Sequence, residues 1–256
     1  MSADEKPTLK ILYQDEYFVA VDKPAGLLVH RSAIDKHETL FLLQLLRDQI
    51  GCHIFPVHRL DKPTSGAIIF AKSPSAAALL QEELNAERTI GNVKKEYLLV
   101  CRGFCAEQGV VDHPLKPIHD FKKKNNAVVT EKPVQTAVTE YQRLHTIELA
   151  SAIDKYPTSR YSLVKANLIT GRKHQLRRHF KHLSHPIIGC PKYGKSTHNQ
   201  YFASTLGVSR LLLHAYRLCF FHPMLSKSVE IHAPLSGEFA HLLSSFHWPL
   251  MELNGD

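Results

Sequence analysis

His58-Arg59-Leu60-Asp61-Lys62-Pro63-Thr64-Ser65-Gly66 sets one carboxylate among three basic side chains and runs into a Thr-Ser-Gly turn. Pro63 stiffens the backbone just after the acid, and Gly66 permits an angle that other residues avoid. Apolar runs flank the stretch, Ile54 to Val57 before it and Ala67 to Phe70 after it. They read as buried strands, so Asp61 is expected on a short connection held by the core. A carboxylate held there is costly unless it is paired. An Asp that only caps a turn accounts for the acid, but not for the His-Arg before it or the Thr-Ser after it.

Working outward, the chain alternates strand-like runs with a few helices and lacks the regular rhythm of a doubly wound sheet. The expected class is α+β, a mixed and mainly antiparallel sheet flanked by helices and loops. Strands are expected at Phe18–Val21, Leu27–His30, Gly66–Ala71, Tyr97–Cys101, Val134–Leu144, Tyr161–Ile169 and Leu218–Phe221. Helices are expected from Thr39 to Ile50, from Pro74 to about Arg88 behind a Ser73 cap, from His174 to about Leu183, and from Ser236 to Phe246. No linker or repeat divides residues 1–256, which read as a single domain. Residues 113–133, with Lys122-Lys123-Lys124 at their centre, read as an exposed basic loop, either a solvated lysine run or an arm that contacts RNA.

Charge points to a polyanionic partner. The formal net charge is +8, and between Asp154 and Glu230 there is no Asp or Glu, while Lys and Arg recur from Lys155 to Lys227. With 24 acids in 256 residues, a window of that length would ordinarily hold about seven. The segment reads as the footprint of a phosphate backbone. Its densest part is Gly171-Arg172-Lys173-His174-Gln175-Leu176-Arg177-Arg178-His179. At helical spacing His174, Arg177, Arg178 and Lys181 share one face, opposite Leu176, Phe180 and Leu183. The cationic face is expected to look outward, toward phosphates or Asp61.

Other patterns carry less. Gly189 to Ser196 formally matches a phosphate-binding P-loop, but no acid for its magnesium follows before Glu230. The histidines at 174, 179, 182 and 185 with Cys190 lack the paired spacing of a zinc site, so no metal is expected. Five scattered cysteines read as free thiols. No apolar run approaches a membrane span and the first residues do not resemble a leader, so a cytoplasmic protein with no membrane partner is expected.

Taken together, these stretches resemble the pseudouridine synthases of the RluA type over nearly the whole chain. Asp15-Glu16 with Lys23 to His30 is similar to the family's first motif, His58 to Gly66 to its catalytic motif, and Lys95-Glu96-Tyr97 to its tyrosine motif. Gly171 to His179 with His185-Pro186-Ile187-Ile188-Gly189 is similar to the third, and Arg210 to Ala215 to the closing one. The resemblance implies an RNA isomerase that detaches uracil from C1′ of its ribose, turns it and rejoins it through C5, with no cofactor. It implies Asp61 as the essential carboxylate, by covalent attack or by proton abstraction from the sugar, with Arg177 as its ion-pair partner. Tyr97 would stack on the base and could help remove the C5 proton, or else be a strand tyrosine. Arg59 would fill the gap left by the flipped base or contact a phosphate. His58, Arg172, Lys173, His174, Arg178 and Lys181 complete the expected RNA-binding set.

Within the family, the runs Lys155 to Tyr161 and Gly171 to His179 resemble members acting on tRNA, which implies uridine 65 of tRNA as target and a monomeric enzyme. The alternatives are a ribosomal-RNA target or a non-catalytic RNA-binding protein. Cys190 departs from the pattern, because the family usually carries Asp there.

Overall fold

Among the described residues, ten strands form a single sheet around the loop that bears Asp61. The computed structural model describes residues 7–31, 38–85, 93–118 and 133–249. In chain order the elements are β1 (Lys10–Gln14), β2 (Phe18–Lys23), α1 (Leu42–Ile50), β3 (Phe55–Pro56), β4 (Ser65–Ala71), α2 (Pro74–Asn85), β5 (Lys94–Arg102) and β6 (Gln108–Asp112). There follow β7 (Val138–Leu149), β8 (Ser159–Leu168), α3 (Gln175–His182), α4 (Ser196–Thr205), β9 (Leu213–His222), β10 (Lys227–His232) and α5 (Gly237–Ser245). The strands lie in the order β1-β2-β4-β9-β5-β8-β7-β6, with β3 paired to β4 and β10 to β9. Every pairing is antiparallel except β4 with β9, which run parallel through Ser65↔His214 and Gly66↔Ala215. The mixed, mainly antiparallel sheet expected from sequence is the one observed.

Period-two alternation sorts the strand side chains onto two faces. Val19, Val21, Ile68, Phe70 and Leu99 pack with Leu42, Leu45 and Leu46 of α1 and Leu176 and Phe180 of α3. On the other face Phe18, Ala20, Ile69 and Phe220 meet Ala76, Ala77 and Leu80 of α2. Farther along that face Leu98, Val100 and Leu163 meet Phe202 of α4 and Phe239, Leu242 and Leu243 of α5. Helices thus cover both faces of the sheet.

The differences from expectation have local causes. Leu27–His30 forms no ladder strand. Its carbonyls instead accept from the free N–H groups that open α1, Leu42 N–H to Leu28 O at 2.8 Å and Leu43 N–H to Val29 O at 3.0 Å, which also explains why that helix begins at Leu42 and not Thr39. Strand β7 starts at Val138 and runs on to Leu149 past a bulge between Arg143 and His145. The strands β1, β6 and β10 are short and carry polar residues, and α4 buries only His198 and Phe202, so none shows a strong period in the sequence. The end of the second expected helix beyond Asn85 and the Lys122-Lys123-Lys124 run lie outside the described residues. All five cysteines are free thiols. Among the described residues no helix is long and apolar enough to cross a membrane.

Candidate active site

Asp61 sits on the connection from β3 to β4, and the backbone around it is tied at several points. Thr64 N–H donates to Asp61 O at 3.0 Å, closing the turn through Pro63, and Gly26 N–H donates to Lys62 O at 2.9 Å. Beneath them the fully buried Lys23 donates from Nζ to three carbonyls, of Pro24 (2.9 Å), Leu27 (2.8 Å) and Lys62 (3.1 Å). Burial and the charge of Arg210 pull its pKa down to about 7, against the opposing pull of Asp61 and Asp22. Lys23 therefore joins the turn from Pro24 to Leu27 to the residue next to the acid. Gly66 has φ of 109°, and a Cβ there would lie 2.2 Å from the carbonyl oxygen of Ala215, so only glycine lets β4 pass this close to β9.

The partner of Asp61 comes from α3. Arg177 Nη1 donates to Asp61 Oδ2 at 2.8 Å, with the two side chains 5% and 16% exposed. This corrects the outward cationic face expected for the helix: Arg177 points inward with Leu176 and Phe180, and His179 is buried as well. His174 itself is not helical and takes a left-handed φ of 57° as the residue before α3. Arg177 lies about 60° from Phe180 around the helix and so falls at the edge of the buried face.

Cys190 completes the support. Arg177 Nε donates to Cys190 Sγ at 3.3 Å, and the Tyr193 backbone N–H approaches the same sulfur at 3.4 Å. The guanidinium also lies 5.3 Å from the centroid of the Tyr193 ring. Burial works against its charge, but the contacts to Cys190 and Asp61 outweigh that and hold its pKa above the ordinary value. The stretch with P-loop spacing thus supports this pair: Gly189, at φ of 74°, passes so near Arg210 that a Cβ would meet its carbonyl oxygen at 1.9 Å. Lys195 is ion-paired to Asp154 at 2.9 Å.

Tyr97 closes the pocket from β5. The pairing of β5 with β9 slips between Glu96 and Tyr97, so that Glu96 faces Arg217 and Tyr97 faces Ala215, a bulge that re-aims the ring toward Asp61. Burial first and the Asp61 charge second push its pKa upward, so the phenol holds its proton at neutral pH. A cavity of about 260 Å³ is lined by Arg59, Asp61, Tyr97, Arg172, His174 and Arg177, among others. It also includes Lys95, whose Nζ donates to Leu84 O at 2.7 Å.

The expected RNA-binding residues divide. Arg59 is exposed at the cavity mouth, as is Arg172, whose Nε donates to Thr136 O at 3.0 Å. Lys173 is half-buried beside His174. Arg178 donates to Lys116 O at 3.0 Å, and Lys181 is exposed with its Nζ 6.0 Å from the Tyr193 ring centroid. His58 and His174 are different. His58 accepts the Ile69 N–H at Nε2 (3.2 Å), and burial, aided by Lys95, pulls its pKa down to about 3. His174 pairs Nδ1 with Tyr193 OH at 3.0 Å, and burial leads the effects that lower it to about 4 despite Asp61 at 3.8 Å. Burial thus favours the neutral form of both rings.

Two supports were not singled out in the sequence. Gln175 is saturated: its Oε1 accepts from Thr170 Oγ1 (2.8 Å) and Arg172 N–H (2.9 Å), and its Nε2 donates to Val138 O (2.9 Å) and Thr139 Oγ1 (3.0 Å). It fixes the turn that presents Arg172. Below the Asp61 loop Arg210 Nη2 donates to Ser65 Oγ at 2.6 Å, Ser65 meets His214 Nδ1 at 2.7 Å, and His214 Nε2 meets Ala233 O at 3.0 Å. A carbonyl only accepts, so His214 Nε2 carries the proton and the Ser65 hydroxyl donates to Nδ1. Their signal was only their place in longer motifs.

A family model described as RNA pseudouridylate synthase matches residues 17–182. The chain is 47% identical over 247 residues to a protein of Pasteurella multocida named tRNA pseudouridine synthase C, covering 96% of this chain and 100% of that one. It is 48% identical over 240 residues to the protein of the same name from Haemophilus ducreyi, covering 94% and 96%. Among solved structures it is similar to human RNA Pseudouridylate Synthase Domain Containing 4, at 27% identity and a TM-score of 0.67, covering 93% of each chain.

Proposed function

The chain belongs to the RNA pseudouridylate synthase family and is an RNA-modifying isomerase, and we propose that its substrate is tRNA, with uridine 65 as the target and Asp61 as the essential carboxylate. The observation that carries the chemistry is the Asp61–Arg177 pair at the floor of a cavity walled by Tyr97 and rimmed by Arg59, Arg172 and Lys173. A carboxylate that took no part in the reaction would only repel RNA phosphates, so a purely RNA-binding protein leaves Asp61 without a purpose. The tRNA substrate is supported by the names of the relatives, and the position by the resemblance of the runs Lys155 to Tyr161 and Gly171 to His179.

The target base must leave its stack to reach Asp61, at a cost of a few kcal/mol, and Arg59 is the side chain at the mouth suited to occupy the gap. Arg177 keeps the carboxylate aimed, whether it attacks carbon or takes a proton from the sugar. Tyr97 stacks on the uracil while it is detached and turned. Its raised pKa means that it enters the reaction as a phenol. It can take the C5 proton only once its own proton has left, and loss of the Asp61 charge, the second cause of that shift, eases that departure. The isomerisation is redox-neutral and adds no atoms, so it calls for no cofactor. Residues 1–256 act as a single catalytic domain, monomeric and cytoplasmic.

The test is pseudouridine formation on tRNA by wild-type protein and Asp61→Asn. The variant is expected to bind tRNA within about threefold of wild type and to form no product. Appreciable product from Asp61→Asn would remove Asp61 from its role. Pseudouridine mapping in a deletion strain that showed loss only in ribosomal RNA would replace the substrate.

A further inference from the structure

Within the run Lys155 to Tyr161, which the catalytic pocket does not use, Tyr156 to Arg160 line a second and larger cavity. Its volume is about 580 Å³, against about 260 Å³ for the pocket at Asp61. Its wall combines Arg102, Asp154, Tyr156, Arg160, His185 and His198.

The fold separates the two cavities. Strands β5 and β8 are antiparallel, with Tyr97 opposite Ala166 and Arg102 opposite Tyr161. Tyr97 and Leu168 line the catalytic pocket, while Arg102, Ser159 and Arg160 line the second cavity. From Tyr97 to Arg102 the strand advances ~17 Å, and from Leu168 back to Ser159 ~30 Å, at ~3.3 Å per residue. Helix α3 bridges the same gap, with Arg177 at one pocket and Ser184 and His185, just past its end, at the other.

Two observations point to a ligand. First, His198 is 2% exposed and lines the cavity, yet its Nε2 has no hydrogen-bond partner among the described residues. Its Nδ1 is engaged by Tyr161 OH at 2.8 Å, so Nε2 is a buried polar atom in the wall able to give or take one hydrogen bond. Second, the Tyr156 side chain stands 54% exposed at the cavity with Lys155 Nζ 5.0 Å from its ring centroid, a stacking surface beside a cation.

Charge selects the ligand's class. The two acids nearby are already neutralised: Asp154 by Lys195 at 2.9 Å and Arg102 at 3.8 Å, and Glu148 by Arg160 at 3.2 Å. Counting Arg102, Lys155, Arg160 and Lys195 against Asp154 and Glu148 leaves the rim positive. An aromatic platform, a buried single-point polar reader and a cationic rim fit a nucleotide, with its base inside and its phosphate outside.

We propose that this cavity holds one nucleotide of the RNA substrate, distant from the reacting uridine, and so contributes to the choice of RNA. The inference rests on the functional reading above, in that an RNA must already occupy the Asp61 pocket.

Two measurements test it, both made on whichever RNA the wild-type enzyme modifies. Tyr156→Ala should raise KM for that RNA by about tenfold at unchanged kcat, within the range expected for loss of one base stack, and Tyr156→Phe should restore it. A photo-crosslinking phenylalanine analogue at position 156 should join a nucleotide different from the modified uridine, whereas the same analogue at position 59 should join the uridine or its neighbours. KM within twofold of wild type for Tyr156→Ala, or no crosslink from 156 while 59 crosslinks, overturns the proposal and leaves the catalytic reading standing. Absence of crosslinks from both positions overturns the two together. A mononucleotide that saturates the cavity without any RNA crosslink from 156 overturns it as well.

Discussion

Removing Arg177 should cost this protein stability as well as activity, and the two losses can be separated. Arg177→Met leaves the Asp61 carboxylate, 16% exposed, without its 2.8 Å ion-pair partner, and leaves Cys190 Sγ without its Nε donor. Stranding one member of a buried ion pair costs about 3–5 kcal/mol, and the partial exposure of Asp61 favours the lower end, about 3 kcal/mol. For a chain of this size that lowers the melting temperature by about 6–12 °C. Asp61→Ala strands the guanidinium less severely, because Cys190 and the Tyr193 ring still hold it. The double variant should therefore be more stable than the sum of the single losses allows, with a coupling energy of about 1–3 kcal/mol. Urea denaturation of the four proteins at pH 7 reads this directly. Additivity within about 0.5 kcal/mol would show that the pair is not coupled in the folded protein and that Arg177 does not aim the acid.

Gly66→Ala should destabilise the protein by about 3 kcal/mol or more, because a Cβ 2.2 Å from the Ala215 carbonyl oxygen adds to a φ of 109°; near-wild-type melting would contradict the close passage of β4 and β9. Stability should fall as pH drops from about 6.5 toward about 4, since buried His214 has a folded pKa of about 4 and the unfolded chain takes up the proton first. The loss should approach 1.4 kcal/mol per pH unit for this group, and His214→Gln, followed by denaturation across the same range, should flatten the profile. RNA affinity should decline by roughly 0.7–0.9 log units per log unit of salt for each phosphate neutralised, measured by filter binding with the Asp61→Asn protein; a flat response would argue against a backbone-tracking surface.

The parts legible in the sequence are those where chemistry and period coincide. Asp61 between two apolar runs announced a loop held by strands, and β4 and β8 followed from their apolar content. Pairing Asp61 with Arg177 came from resemblance, while helical spacing placed Arg177 on a face turned toward phosphates or Asp61, of which the structure shows Asp61. Arg177 lies about 60° from Phe180 around the helix, at the border of its two faces, so spacing by itself leaves its direction open. His58 and His174 looked like cations because sequence shows residue type and not burial, and burial is what neutralises both. Leu27 to His30 had the composition of a strand, yet its carbonyls serve the start of α1, a distinction made only by tertiary contact. Cys190 could be read as a departure but not as a hydrogen-bond acceptor for Arg177.

The parallel pairing of β4 with β9 spans only Ser65↔His214 and Gly66↔Ala215. On one side of that seam hang β1 to β4 and the Asp61 loop; on the other hang β5, with Tyr97, and the strands and helix that carry Arg177. Acid and counter-ion thus belong to different wings of the molecule, and their contact is itself a clasp across the joint. One apolar core, with Ile68 and Phe70 on the first side and Leu99 and Leu176 on the second, crosses the same seam, so packing as well as charge keeps acid and counter-ion in register.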